Sequence, residues 1–97
     1  MTPQVQRSIL ANSNPSDGST VREPVEAVEL HFDPPARLDE LIVSGPDGDM
    51  PSAIHAVGEV PDYSIPLSDL RSGVYTVTWR ATARGREYNG RFGFAVR

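Results

Sequence analysis

The sequence predicts an all-β domain: an Ig-like antiparallel β-sandwich of Greek-key type with about seven strands. Three observations carry this reading. Apolar and polar residues alternate over short runs, and no stretch keeps a helical period. Turn residues break the runs at spacings of roughly 8–12 residues. The chain has 97 residues, enough for one domain with a thin core.

The elements follow in order. Residues 1–6 read as a flexible N-terminal segment, and 7–97 as the domain. A short first strand spans 8–12, with Ile9 and Leu10. Pro15-Ser16-Asp17-Gly18 is a turn, because Pro sets φ and Gly tolerates positive φ. The run 25–32 alternates: Val28, Leu30 and Phe32 face one side, Ala27, Glu29 and His31 the other. Pro34-Pro35 is expected to end that strand, since neither nitrogen can donate to a ladder. The next strand, 38–44, places Leu41 and Val43 on one face and Ile42 on the other. Gly45-Pro46-Asp47-Gly48 is a second turn. A weaker strand is expected over 52–60, and an edge strand over 63–67 because it carries Pro66. The strongest strand is 74–82, with Tyr75, Val77, Trp79 and Ala81 inward. The last is 91–96, with Phe92, Phe94 and Val96 inward.

Asp69-Leu70-Arg71-Ser72-Gly73-Val74-Tyr75 has the pattern of a tyrosine corner. There a Tyr hydroxyl bonds back to the backbone a few residues upstream. Tyr75 and Trp79 are thus the candidate structural residues.

Composition narrows the function. Without cysteine there is no disulfide, no Cys-based zinc site and no thiol nucleophile. The net charge is −4, and every basic residue is Arg. Residues 1–69 hold 12 acidic side chains against three Arg. Residues 70–97 hold six Arg against Glu87 alone. The domain is acidic overall with one small basic region, which argues against nucleic acid. No run of 18 apolar residues is present, so no helix of the chain inserts in a membrane. No catalytic constellation is visible and neither His comes with a local triad signature, so the chain reads as a non-enzyme. Asp47, Asp49 and Glu59 lack the spacing of an EF-hand calcium loop and read as solvated residues.

The C-terminal third carries a family signature. Pro66, Leu67, Leu70, Gly73, Tyr75, Thr76, Val77, Trp79, Arg80, Gly90, Phe92, Phe94 and Val96 fall in one order. Upstream, Leu10, Ser13, Pro15, Asp17-Gly18, Val28, Leu30 and Phe32 extend it. This order resembles the CopC family, small copper-handling β-sandwiches of the bacterial periplasm. The resemblance covers residues 7–96. It implies a periplasmic or otherwise extracytoplasmic place. Met1-Thr2-Pro3-Gln4 has no basic n-region or apolar h-region, so the chain is expected to be a mature segment or a domain of a longer protein.

The resemblance also implies a Cu(II) site at one end of the sandwich. It would be built from a mature N-terminal His with its free amine and from an Asp-x-His in the last hairpin. Those positions fall on Arg7, Arg84 and Arg86, with one residue deleted before Asn89. Guanidinium has no free lone pair and cannot ligate. A dication about 5 Å from one guanidinium costs roughly 2–7 kcal/mol at the bracketing dielectrics. The Cu(II) site is therefore expected to be degenerate or lost, and copper enters as a cofactor only through the resemblance. A Cu(I) site needs several soft ligands. Only Met50 and His55 are candidates, and they read as a loop Met and a strand His. His31 reads as a surface residue.

Two functions follow. One is a copper-handling or copper-resistance accessory domain, whose partner is a membrane copper transporter or another domain of its parent protein. The other is a metal-free interaction module, with Arg84, Arg86 and Arg91 receiving an acidic partner.

Overall fold

The structure is a computed structural model that describes residues 9–22, 25–46, 48–51, 58–67 and 70–97. The expected N-terminal segment and most of the expected strand 52–60 lie outside the described residues. Seven strands are present: β1 Leu10–Asn14, β2 Ser19–Val21, β3 Ala27–Gly45, β4 Gly48–Pro51, β5 Val60–Pro66, β6 Gly73–Ala83 and β7 Arg86–Val96.

They form two layers that share β3. Its first part pairs with β1 on one side and β5 on the other. Its second part pairs with β4 and β6, and β7 and β2 follow beyond β6. The inward residues of both layers meet in one core. Val28, Leu30 and Phe32 come from the first layer, and Leu41, Val43, Val77, Trp79, Phe92 and Phe94 from the second, all buried. Phe32 and Trp79 join the layers through an edge-to-face contact at 5.3 Å.

Tyr75 lies opposite Phe94 in the β6–β7 ladder, and their rings stack at 5.6 Å. The Tyr75 hydroxyl donates to the Arg71 carbonyl at 2.6 Å. The tyrosine corner is therefore formed, and it ties the chain entering β6 to that strand.

Four expectations change. Pro34-Pro35 does not end a strand: β3 runs on for 19 residues. Pairing with β5 skips from His31 to Ala36, and pairing with β6 starts at Arg37. The two prolines sit where the strand leaves one sheet for the other, so no ladder bond is asked of their nitrogens. Second, β2 pairs parallel to β7, so the sandwich is antiparallel in every described pairing except that one. The Pro15–Gly18 turn delivers β2 there: Gly18 donates to the Gly93 carbonyl at 2.7 Å, and the Asp17 carboxylate accepts from the Gly93 amide at 3.0 Å. Third, Met50 is not in a loop. It lies in β4 opposite Val43 and packs partly buried against the core. Fourth, the last strand begins at Arg86 rather than Arg91. β5 pairs only with β3 among the described strands, as an edge strand should.

Candidate functional site

The β6–β7 hairpin closes one end of the sandwich. Ala83 and Arg86 close the ladder, leaving Arg84-Gly85 as a two-residue loop. Arg84 has φ 52° and Gly85 φ 77°. Positive φ at both central residues is the pattern of a type I′ turn, whose twist matches the flanking strands. Gly adopts it freely, while Arg pays for its Cβ. Replacing Arg84 with Asn, the residue this turn favours, should stabilise the domain by about 0.5–1 kcal/mol. A urea midpoint that stays put or falls would contradict the turn assignment.

The hairpin tip is held from outside. The Arg84 amide donates to a Glu59 carboxylate oxygen at 2.8 Å. Glu59 immediately precedes β5, whose first residue, Val60, lies opposite Ala36 in the bend of β3. Ile9 lies near the same bend, its carbonyl accepting from the Asp33 amide at 2.8 Å. Hairpin tip, the bend of β3 and Ile9 thus gather at one end of the molecule.

The acids on the hairpin's flank are already engaged. Asp39 accepts from the Arg37 Nε at 2.8 Å and from the Thr82 hydroxyl at 2.7 Å. Partial desolvation pushes its carboxyl up. The hydrogen bonds from Thr82 and Arg37, with the charges of Arg37 and Arg80, outweigh that and hold it below the ordinary aspartate value. Glu87 approaches Arg80 at 3.7 Å, both side chains well exposed, so the pair contributes little.

Arg84 and Arg86 are brought together at the tip, both exposed. Arg91 is not with them. It lies opposite Thr78 on the outer face of its sheet, five residues from Arg86, or about 17 Å along the strand. Arg7 and His55 lie outside the described residues. Met50 is partly buried and packs against the core. Among the described residues, no three of His, Asp and Glu gather closely enough to hold a metal. His31 is where expected, on the outer face, but it is engaged by Asp62 at 2.6 Å.

Sequence reasoning missed the role of Tyr63. Its hydroxyl donates to the Ala36 carbonyl at 2.7 Å and accepts from the Leu38 amide at 3.0 Å. It therefore supplies bonds to the backbone where β3 changes sheets. No local pattern in the sequence marks such a long-range contact.

The family model for the CopC domain matches residues 10–97. The chain belongs to the CopC family. Solved structures share its fold. CopC from Methylosinus trichosporium OB3b superposes with a TM-score of 0.73 at 20% identity over 93% of each chain. PcoC, a copper resistance protein from Escherichia coli, gives 0.63 at 26% identity, covering 91% of this chain and 98% of that one. A second PcoC structure, described as methionine rich, gives 0.63 at 26%, covering 91% of this chain and 96% of that one. No curated protein sequence matches the chain. The present chain has two methionines, Met1 and Met50. The donor chemistry at its CopC hairpin does not fit Cu(II). Arg84 and Arg86 offer only N–H donors and positive charge, and the adjacent Glu59 is bonded to the hairpin amide.

Proposed function

We propose that this CopC domain is an extracytoplasmic accessory domain of copper resistance that does not hold Cu(II) at its hairpin end. The family membership supports the copper context, as does the likeness to PcoC, a copper resistance protein. The observation that carries the second half is the hairpin itself. Arg84 and Arg86 flank Gly85 at a two-residue loop, and the resemblance puts the family's Asp-x-His at these two positions, which supports the reading. Its role is then exerted through a partner, either a membrane copper transporter or another domain of its parent protein. Calorimetric titration with Cu(II), against a competing amino-carboxylate chelator, tests this. The chelator is expected to take all the metal. A one-to-one site that survives the competition would overturn the proposal.

A metal-free interaction module is the second reading, supported by one observation. Neither the Arg84 nor the Arg86 guanidinium has an acidic partner among the described residues. Two adjacent forks are suited to carboxylates of a binding partner. Binding of an oligoglutamate peptide, lost in the Arg86→Glu variant, is the expected result. Binding unchanged in that variant would remove this reading.

A further inference from the structure

One side of β7 is an open sheet edge over most of its length. β2 covers only Phe94–Val96. The Gly93 amide and carbonyl point away from β6, to the Asp17 carboxylate and the Gly18 amide. Backbone groups alternate between the two sides of a strand, and the β6–β7 register runs without a shift. Glu87, Asn89 and Arg91 therefore turn their N–H and C=O groups outward as Gly93 does. Among the described residues, no strand or side chain meets those groups.

An edge of this kind is usually blunted. The other edge strands are: β2 and β4 have only three and four residues, β5 carries Pro61 and Pro66, and the pairing of β1 is broken by a register shift. The window Glu87–Arg91 has no proline, no lysine and no bulge. It has instead two opposite charges placed symmetrically about Asn89. All three side chains lie on the outer face and are exposed. Glu87 meets Arg80 only at 3.7 Å, and Arg91 has no acidic partner among the described residues.

We infer that this edge pairs with the same edge of a second copy of the chain, antiparallel, about a two-fold axis through Asn89. In that register Glu87 of each copy stands opposite Arg91 of the other, and the two Asn89 residues face each other. Each pair exchanges two backbone hydrogen bonds, and the Glu–Arg pairs join opposite charges across the strands. The charges select the alignment: a parallel one sets Glu87 beside Glu87 and Arg91 beside Arg91. A slip of one residue sets each outward N–H beside a residue whose own groups are bonded to β6. The window also ends where the pairing must end. Gly93 is already held by the Pro15–Gly18 turn, and its counterpart across the axis is Gly85 in the hairpin loop. The arginines of each hairpin tip are thereby carried toward Asp17 of the other copy. The contact is isologous and closed, and it is short, so the dimer is weak and concentration-dependent. It does not depend on whether the domain holds copper.

The test is analytical ultracentrifugation of the full chain from micromolar to millimolar concentration, with amide hydrogen exchange as the local reporter. A monomer–dimer equilibrium is expected, with exchange at Glu87, Asn89 and Arg91 slowing as concentration rises. Glu87→Arg and Arg91→Glu each weaken the dimer about ten-fold, because each sets like charges opposite in both pairs. The two substitutions together restore it. Asn89→Pro removes an outward N–H but no bond to β6, and abolishes it. A monomer at every concentration, a dimer that survives Asn89→Pro, or a double reversal that fails to rescue would overturn the inference. So would protection of those amides that is the same at every concentration, since another segment of the same chain would then cover the edge.

Discussion

Trp79→Ala is expected to cost about 3–5 kcal/mol, the range for emptying a large aromatic site in a core. Trp79 is among the largest fully buried side chains and the one that reaches across the layers to Phe32. Its indole also lies over Gly90, directly opposite in the ladder. A Cβ at Gly90 would come 2.8 Å from Trp79 Cζ2, so the missing side chain there is part of the indole's seat. Without the ring, Phe32 loses its edge-to-face partner in the other layer and keeps only Tyr63, and Gly90 faces a void. Domains of this size have roughly 5–15 kcal/mol to lose, so the variant should unfold at far lower urea. The check is the urea midpoint by fluorescence-independent circular dichroism. A loss below about 1 kcal/mol would mean that the indole is not the link between the layers.

Tyr63→Phe is expected to cost about 1–3 kcal/mol although it removes a single oxygen. That oxygen serves two backbone groups at once, the Ala36 carbonyl and the Leu38 amide. Both belong to the stretch where β3 changes partners, and Ala36 and Leu38 are buried. The phenyl ring can keep its edge contact with Phe32 at 5.8 Å, so the loss isolates the hydroxyl. Denaturant titration, with amide exchange at Leu38 as a local reporter, checks it. Unchanged stability and unchanged protection of Leu38 would contradict the assignment.

The core was legible because its signal is local. Val28, Leu30 and Phe32, then Tyr75, Val77 and Trp79, alternate within single strands, and period two survives any arrangement of those strands. The tyrosine corner was legible for the same reason, since Arg71 and Tyr75 are four residues apart. What escaped depends on distant partners. Pro34-Pro35 breaks a ladder only if a ladder is required there, and the change of sheet removes that requirement. β2 is three residues long, too short to show a period, and its parallel partner is far away in sequence. Residues 86–90 belong to β7, but their inward positions are Arg86, Tyr88 and Gly90, so they carry no alternation of apolar side chains.

The candidate site divides along the same line. That Arg84 and Arg86 occupy the hairpin tip was readable from the order of residues. That Arg91 lies on another face follows only from the register with Thr78. The bond from Arg84 to Glu59 joins residues 25 apart, and the His31–Asp62 pair joins residues 31 apart. No spacing rule reaches that far in a single sequence.

The most direct measurement is the electron paramagnetic resonance spectrum of the full chain with one equivalent of Cu(II) at neutral pH, recorded beside the Arg84→Ala/Arg86→Ala variant. The expected spectra are the same for both proteins and show coupling to at most one nitrogen. Coupling to several nitrogens in the parent protein, altered in the hairpin variant, would mean that Cu(II) is held at the Arg84–Arg86 end after all.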